Sequence, residues 1–471
     1  MELLERLERL PKTKVQRKIL TQGGLGYLFD AMDTGSVAFI LPVVTGLWAL
    51  TSGQTGVLGS ALYIGYMAGA LSAGVLGDRI GRRRIMMYAL AIYAGASLVA
   101  ALSPNWEFLF GSRVVAGFGT GAESAIIAPY VAEFFAARYR GRYLGLLSAF
   151  FTYGIILAAL IGYFLVPAFA DGWRAIQVVT AVPILILLWW RRALHESPRF
   201  LVSRGRYAEA EEVVERLEAD VHAATGRELP PVEAGSIPDS TPAKTSFLQT
   251  IKMLWSRKTA KTTALTWILW VTTNYCYYGF LTFIPTLLVN QGFTLTRSFA
   301  YSIFIYVMQL PGVFGLSYLA DKMERKTSLS LFSAAAILAA GGLAIAGGPV
   351  TILIAAGCLS MFMKGVFATL YIYTPEIYPS AIRASGMGAA SAVGRLGSIA
   401  APIVIGFSYP VIGFAGVFII TAAVLLVGVL SVQLQGRSTT CRTLEDISEG
   451  HGDRDGAPVE FRTTPTSKSM A

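Results

Sequence analysis

The chain writes one charged signature twice, 243 residues apart. Asp78-x-x-x-Arg82-Arg83 is followed by Glu133 and then, after six residues, Arg140. Asp321-x-x-x-Arg325-Lys326 is followed by Glu376 and Arg383 at the same spacings, and Asp to Glu is 55 residues in both copies. Each copy sits where long apolar runs end. A duplication of this size on apolar segments restricts the chain to two related membrane bundles in tandem, the internal symmetry on which secondary transporters are built.

The 471 residues are 54% hydrophobic and 14% charged, with a mean hydropathy of +0.55. A soluble domain carries about 25% charged residues. Twelve apolar stretches reach the roughly 20 residues that a bilayer crossing needs. They lie near 20–48, 57–77, 85–103, 108–130, 143–166, 174–194, 262–289, 299–320, 328–347, 350–373, 385–408 and 411–432. Lipid offers no partner to exposed backbone groups, so an all-α membrane protein is expected.

Charge sets the expected orientation. With the N-terminus inside, 34 of the 39 Lys and Arg fall on cytoplasmic segments and only Arg174 and Arg297 fall outside. The asymmetry predicts both termini in the cytoplasm. It also accounts for the net charge of +10 without nucleic acid as a partner. Short outer loops without an Asn-x-Ser/Thr sequon suit a bacterial-type inner membrane. Cys276, Cys358 and Cys441 make no disulfide framework. The first apolar run is too long for a cleavable signal and continues into the bundle.

The expected organisation is an amphipathic cytoplasmic segment over 1–19, a six-helix bundle over 20–194, a cytoplasmic connection over 195–261, a second six-helix bundle over 262–432 and a disordered cytoplasmic tail over 433–471. Within the connection, 203–219 is helix-prone, 226–245 reads as a flexible linker, and 247–255 reads as a short amphipathic helix. The fold needs no second copy, so a monomer is expected.

A few charges lie inside the apolar runs, where each costs roughly 2.5–3.5 kcal/mol and should face the bundle interior. Asp30 and Asp33 share one face of span one, and Arg113 in span four lies at a depth comparable to Asp33. Two readings stand for Glu123, a proton site or a hydrogen-bonded packing carboxyl. Spans seven to twelve hold Lys364 and Arg395 but no acidic residue, so an anionic substrate would complete the charge balance. Lys364 has a second reading, a side chain snorkelling to the cytoplasm. Trp270, Asn274, Tyr277 and Tyr278 form a stripe of span seven, either packing or an aromatic face for substrate, and Gln309 in span eight could add a hydrogen bond. Gly117-x-Gly119-x-Gly121 follows no strand and reads as helix packing. No P-loop, metal cluster or catalytic triad spacing stands out, which implies no enzyme, no metal and no cofactor.

Gly74-Val-Leu-Gly77-Asp78-Arg79-Ile-Gly81-Arg82-Arg83 resembles the loop between spans two and three of the major facilitator superfamily. Arg113-x-x-x-Gly117-x-Gly119 resembles its fourth-span motif, and Glu196-Ser-Pro-Arg199-Phe-Leu resembles the signature of its sugar-porter-like branch. Thr374-Pro-Glu376-Ile-Tyr-Pro with Arg383 resembles that branch's tenth-span exit. The resemblance covers about 20–435, and the second-half loop departs from it, with Ser317 and Glu324 where Gly is usual. It implies two pseudo-symmetric six-helix bundles working by alternating access. It further implies that Asp33 and Arg113 form a proton-coupling pair, with Asp30 tuning Asp33. Seam contacts of Asp78 with Arg140 and of Asp321 with Arg383 would act as latches.

The span-seven pattern usual in sugar porters is absent. Arg395-Leu-Gly397 with Pro402 resembles organic-anion transporters, and Gly119 to Glu123 resembles bacterial metabolite:proton symporters, including those for nicotinate and aromatic acids. The expectation is therefore proton-coupled uptake of a small organic anion, with Arg395 holding the carboxylate. Its partners are substrate, protons and lipid. A sugar or polyol symporter and a drug or metabolite exporter are the alternatives.

Overall fold

The computed structural model describes residues 2–231, 247–379 and 382–437, and within these a few side chains, Asp78 and Asp321 among them, lie outside the described set. Most of the linker expected over 226–245 and the tail from 438 onward also lie outside it. Among the described residues there is no strand.

Helix α1 (Glu2–Glu8) precedes α2 (Lys14–Leu47). The expected first span began at residue 20, but a capping box at Thr13 and Gln16 starts the helix earlier. Crossings two to five are α3 (Ser52–Ile80), α4 (Arg82–Ala101), α5 (Trp106–Glu133) and α6 (Ala137–Leu165). The sixth, expected as one run, is α7 (Gly172–Ala181) and α8 (Ile184–Ala193), broken at Pro183. Helices α9 (Pro198–Ser203) and α10 (Tyr207–Thr225) replace the single helix expected over 203–219, because Gly205 turns the chain at φ +70°. Helix α11 (Phe247–Leu254) leads into α12 (Ala260–Asn290).

The eighth crossing is composite: α13 (Leu295–Val307), α14 (Gln309–Pro311), a π-helical turn over Gly312–Leu316, and α15 (Ser317–Lys322). Then follow α16 (Arg325–Ala344), α17 (Pro349–Ile377) and α18 (Arg383–Gln435). Helix α18 has 53 residues, too long for one crossing, and Gly413 at φ +62° divides it into the eleventh and twelfth. With α12 and the α7–α8 pair counted, the chain makes twelve crossings in two pseudo-symmetric bundles.

Small residues set how close the helices come. Methyl groups on Gly65 and Gly69 would stand 1.9 Å from the Val114 and Phe118 carbonyl oxygens, and on Gly121 2.1 Å from the Tyr66 carbonyl oxygen. Helices α3 and α5 thus touch through their backbones, and the glycine run of α5 is a packing surface. Gly397 does the same in the second bundle, against the Val271 carbonyl oxygen at 2.1 Å.

The two faces of the molecule differ. One face, here the basic face, carries α1, α9, α10 and α11 together with the starts of α2, α4 and α6. At the other, α3 and α18 of different bundles meet closely. Methyl groups on Gly56 and Gly406 would fall 2.6 Å from the Pro402 carbonyl oxygen and 2.5 Å from the Ser52 carbonyl oxygen. Phe39 packs edge-on to Phe299, with ring centroids 5.0 Å apart. The bundles are therefore closed against each other on the face opposite the basic one.

Candidate functional site

Asp33 and Arg113 meet inside the first bundle. Arg113 Nη1 and Nη2 donate to Asp33 Oδ1 and Oδ2, each at 3.0 Å, and Nη2 reaches the Asp33 carbonyl at 3.2 Å. Ser97 Oγ donates to the same carboxylate at 3.0 Å, and Gln177 Oε1 accepts from Arg113 at 3.1 Å. Four helices (α2, α4, α5 and α7) converge on one ion pair in which both residues are at most 2% exposed. Ser97 and Gln177 were not singled out from the sequence, where each is a lone polar residue in an apolar run. One turn toward the basic face lies Asp30, and further down Glu123. Both are wholly buried, and the Glu123 carboxyl oxygens have no hydrogen-bond partner.

Arg395 lies where the bundles meet. Its Nη1 is 3.2 Å from the Tyr278 hydroxyl and its Nη2 is 3.3 Å from the Tyr66 hydroxyl. The guanidinium also covers the Tyr66 ring, 4.1 Å from its centroid. Among the described residues no carboxylate forms a salt bridge with it. Lys364 does not snorkel outward: it is buried, with Nζ 5.2 Å from the Phe151 ring centroid and 5.6 Å from that of Tyr277. Two cations thus project from the second bundle onto aromatic faces, a setting that favours positive charge without neutralising it.

The aromatic stripe of α12 divides by function of its polar tips. Tyr277 donates to Gln309 Oε1 at 2.8 Å, and Gln309 Nε2 is left without a partner. Trp270 Nε1 donates to Thr374 Oγ1 at 2.9 Å. Asn274 donates to the Trp270 carbonyl at 2.7 Å and accepts from Ser398 at 3.2 Å. The polar atoms of Trp270 and Asn274 are therefore engaged within the second bundle, while the Tyr278 hydroxyl accepts from Arg395 and Gln309 accepts from Tyr277. Tyr66, Phe367 and Tyr371 complete the ring and were not anticipated. Phe367 lies 4.8 Å from Tyr277 and Tyr371 lies 4.9 Å from Trp270, centroid to centroid. Between the bundles, Thr34, Tyr63, Tyr278, Thr282 and Tyr306 enclose a void of about 10 Å³, and Tyr63 is hydrogen-bonded to Thr282 at 2.7 Å.

The repeated seam charges pair symmetrically. Arg82 Nε is 3.5 Å from Glu133 Oε1, and Arg325 Nε is 3.6 Å from Glu376 Oε1. Of the anticipated latches only the arginine side chains are described. Arg140 reaches Glu8 at 3.5 Å and the carbonyls of Ala132 and Phe135. Arg383 has Nε and Nη2 without a hydrogen-bond partner, and the Asp78 and Asp321 carboxyls lie outside the described residues. Glu196 caps α4, accepting from the backbone N–H of Arg82 at 3.0 Å and Arg83 at 3.2 Å. That approach requires Gly81, at φ +109°, because any side chain there would collide with the Glu196 carboxylate. Arg199 pairs with Glu8 at 2.8 Å, and no heavy atom lies within 4 Å of a methyl placed on Gly74.

Known proteins resemble the chain over most of its length. Residues 19–450 fit the profile of the family described as sugar (and other) transporter. The chain belongs to that family. A niacin transporter of Acinetobacter baylyi is 36% identical over 95% of this chain and 100% of its own length. An organic cation/carnitine transporter of Arabidopsis thaliana is 28% identical over 83% of this chain and 85% of its own. The inward-open xylose transporter XylE of Escherichia coli superposes with a TM-score of 0.73 at 16% identity, over 92% of this chain and 99% of that one. As a member of the family, the protein is an integral membrane transporter of the major facilitator fold and not an enzyme.

Proposed function

We propose that the protein takes up a small aromatic carboxylate of the nicotinate or benzoate type together with a proton, by alternating access across a bacterial inner membrane. The observation that carries this reading is Arg395. A buried cation at the bundle interface, ringed by tyrosines and, among the described residues, without a carboxylate in salt-bridge reach, is matched in charge and shape by a flat aromatic acid. Lys364 supplies a second cation over the Tyr277 ring, and Gln309, bonded to that tyrosine, keeps a free amide donor. The relative at 36% identity carries niacin by name, which supports the same substrate class.

The Asp33–Arg113 pair is the proposed coupling element. Protonating Asp33 dissolves the pair, and deprotonation restores it, so the proton state is written into contacts between α2 and α5. The basic face is the cytoplasmic one under the positive-inside rule, which places both termini inside. Arg82–Glu133 and Arg325–Glu376, each joining two helices of one bundle, and the Glu196 cap brace the helix ends on that side. One proton moving with one monoanion is electroneutral, so a pH gradient alone would drive uptake.

Uptake into proteoliposomes with an outside-acid pH gradient tests the reading, with nicotinate, benzoate and glucose as candidates. Gradient-dependent accumulation of either acid is expected. Accumulation of glucose alone would overturn the anion assignment, and acid uptake indifferent to the gradient would overturn the coupling.

A further inference from the structure

We propose that Asp30, Glu123 and Tyr93 form a proton relay inside the first bundle, carrying the proton from Asp33 to the basic face apart from the substrate's route. The inference rests on the proton-coupled reading above and assigns the path that reading leaves open.

The groups form a descending series. Asp30 lies three residues below Asp33 on α2, about 4.5 Å along the axis, and Gly26 lies a further four residues, about 6 Å, below Asp30. Glu123 stands level with Gly26, since a methyl on that glycine would sit 2.5 Å from Glu123 Oε1. On α5 the same descent runs from Arg113, the partner of Asp33, to Glu123, ten residues nearer the basic face. The Trp190 ring closes the lower end, also 2.5 Å from the same methyl position.

Both oxygens of Glu123, the Tyr93 hydroxyl and Trp190 Nε1 are buried without a hydrogen-bond partner, and the Asp30 carboxyl, just as buried, has the Ser124 hydroxyl beside it. Structural carboxyls at this depth would hold such partners, as Asp33 does. The charged and titratable groups acting on Asp30 are Glu123 of α5, Asp33 of its own helix and Arg395 of α18, with Ser124 beside it. Tyr27 and Tyr66 also act on it electrostatically, and Tyr93 of α4 lies within the field of Glu123, Asp30 and Asp33. Arg395 is the one cation in that set, and it belongs to the opposite bundle. The relay therefore senses whether Arg395 is covered by a substrate anion.

In the transfer, the O–H bond of protonated Asp33 breaks as a carboxyl oxygen of Asp30 gains the proton. Asp30 gives its proton to Glu123, directly or across the Tyr93 hydroxyl, and Glu123 gives one to water at the basic face. Bared Asp33 re-forms its pair with Arg113. Each site gains one proton and loses one, so no charge accumulates along the path.

The test separates net coupled uptake from exchange in proteoliposomes, using nicotinate. Exchange of labelled for unlabelled substrate needs no net proton release, whereas gradient-driven uptake does. Glu123→Gln and Asp30→Asn are expected to slow gradient-driven uptake by roughly tenfold or more while exchange stays within about twofold. Tyr93→Phe keeps the ring and its packing, so it guards against misfolding, and the same pattern in milder form is expected. Infrared difference spectra provide a readout independent of transport: the C=O stretch of a protonated carboxyl should respond to nicotinate and be lost in Glu123→Gln. Gradient-driven uptake unchanged in both carboxyl variants would overturn the relay. So would loss of exchange along with uptake in folded protein. A wild-type protein whose uptake ignores the gradient would instead sink the coupling itself.

Discussion

Arg395 Nη2 in the second bundle lies 3.3 Å from the Tyr66 hydroxyl in the first. The cation offered to the substrate is thus also a joint between the bundles. An anion that takes the guanidinium must compete with Tyr66 and Tyr278 for its N–H groups. Occupancy is then tied to the contacts holding the bundles together, which is the differential interaction a ligand needs to shift a conformational equilibrium.

Arg395→Ala should weaken acid binding by roughly 10- to 150-fold, the value of about 1.5–3 kcal/mol for a hydrogen bond to a charged group. Arg395→Lys should recover only part of this, because an ammonium cannot span two tyrosine hydroxyls and a carboxylate in one plane. Equilibrium binding of labelled nicotinate to detergent-solubilised protein measures both. Binding unchanged in Arg395→Ala would place the carboxylate elsewhere.

Asp33→Asn leaves Arg113 buried without its counter-charge. Breaking a buried pair costs about 3–5 kcal/mol, so a clear drop in thermal midpoint is expected beside the loss of gradient-driven uptake. Asp33→Asn with Arg113→Gln should regain stability but not coupling. A double variant that is stable and still driven by the pH gradient would remove the pair from the mechanism.

Much of this was legible in the sequence, for stated reasons. A charge in an apolar run must find a partner, so Asp33 and Arg113 could be placed at like depth before any geometry was known. The repeat at 243 residues announced the two bundles. The partners that are polar without being charged escaped notice: Ser97, Gln177 and Tyr66 are individually unremarkable in a span, and only tertiary packing selects them. The seam shows the same limit. The sequence holds Asp, two basic residues, Glu and Arg at each seam, and nothing in spacing alone says that Arg82 takes Glu133 or that Arg140 turns to Glu8. That second choice depends on α1, which packs Leu7 and Leu10 into the first bundle's lower core.

The symmetric seam pairs should act on conformation more than on stability. Arg82–Glu133 and Arg325–Glu376 are partly exposed, and such pairs contribute about 1 kcal/mol at most. Glu133→Gln or Glu376→Gln alone should therefore shift the inward–outward balance by about fivefold or less, and the two together by more. Spin-label distances across the basic face, measured for each variant and the double, would show it. An unaltered distance distribution in the double variant would deny the pairs any part in that balance.

Helix α1 is held by Glu218, which accepts from Arg6 Nε at 3.2 Å and Arg9 Nη2 at 2.6 Å. Burial disfavours the Glu218 charge, but the two arginines outweigh it and hold the carboxyl below its ordinary value of 4.5. A carboxylate depressed in the folded state stabilises above its unfolded pKa, and that contribution disappears as pH falls through the folded value. The clamp should thus be fully closed at neutral pH and open only below about pH 4.5. Hydrogen exchange of residues 2–8 should rise over that acid range and, in Glu218→Gln, be raised already at pH 7. Equal protection of α1 in wild type and Glu218→Gln at pH 7 would show that Leu7 and Leu10 hold it unaided.

The closed face depends on two glycines more than on any side-chain bond. Gly56 and Gly406 let α3 and α18 touch backbone to backbone, and a methyl on either would stand about 2.5 Å from an opposing carbonyl oxygen or closer to it than packing allows. A carbonyl cannot rotate aside as a side chain does, so the helices themselves must part. Gly406→Val should prop this face open and bias the protein to the state in which its cavity meets the outside. Uptake should be lost while nicotinate binding from that side persists, and a cysteine placed at Gly53 should become reactive to an impermeant thiol reagent. A Gly406→Val protein that transports at the wild-type rate would mean that the bundles close elsewhere.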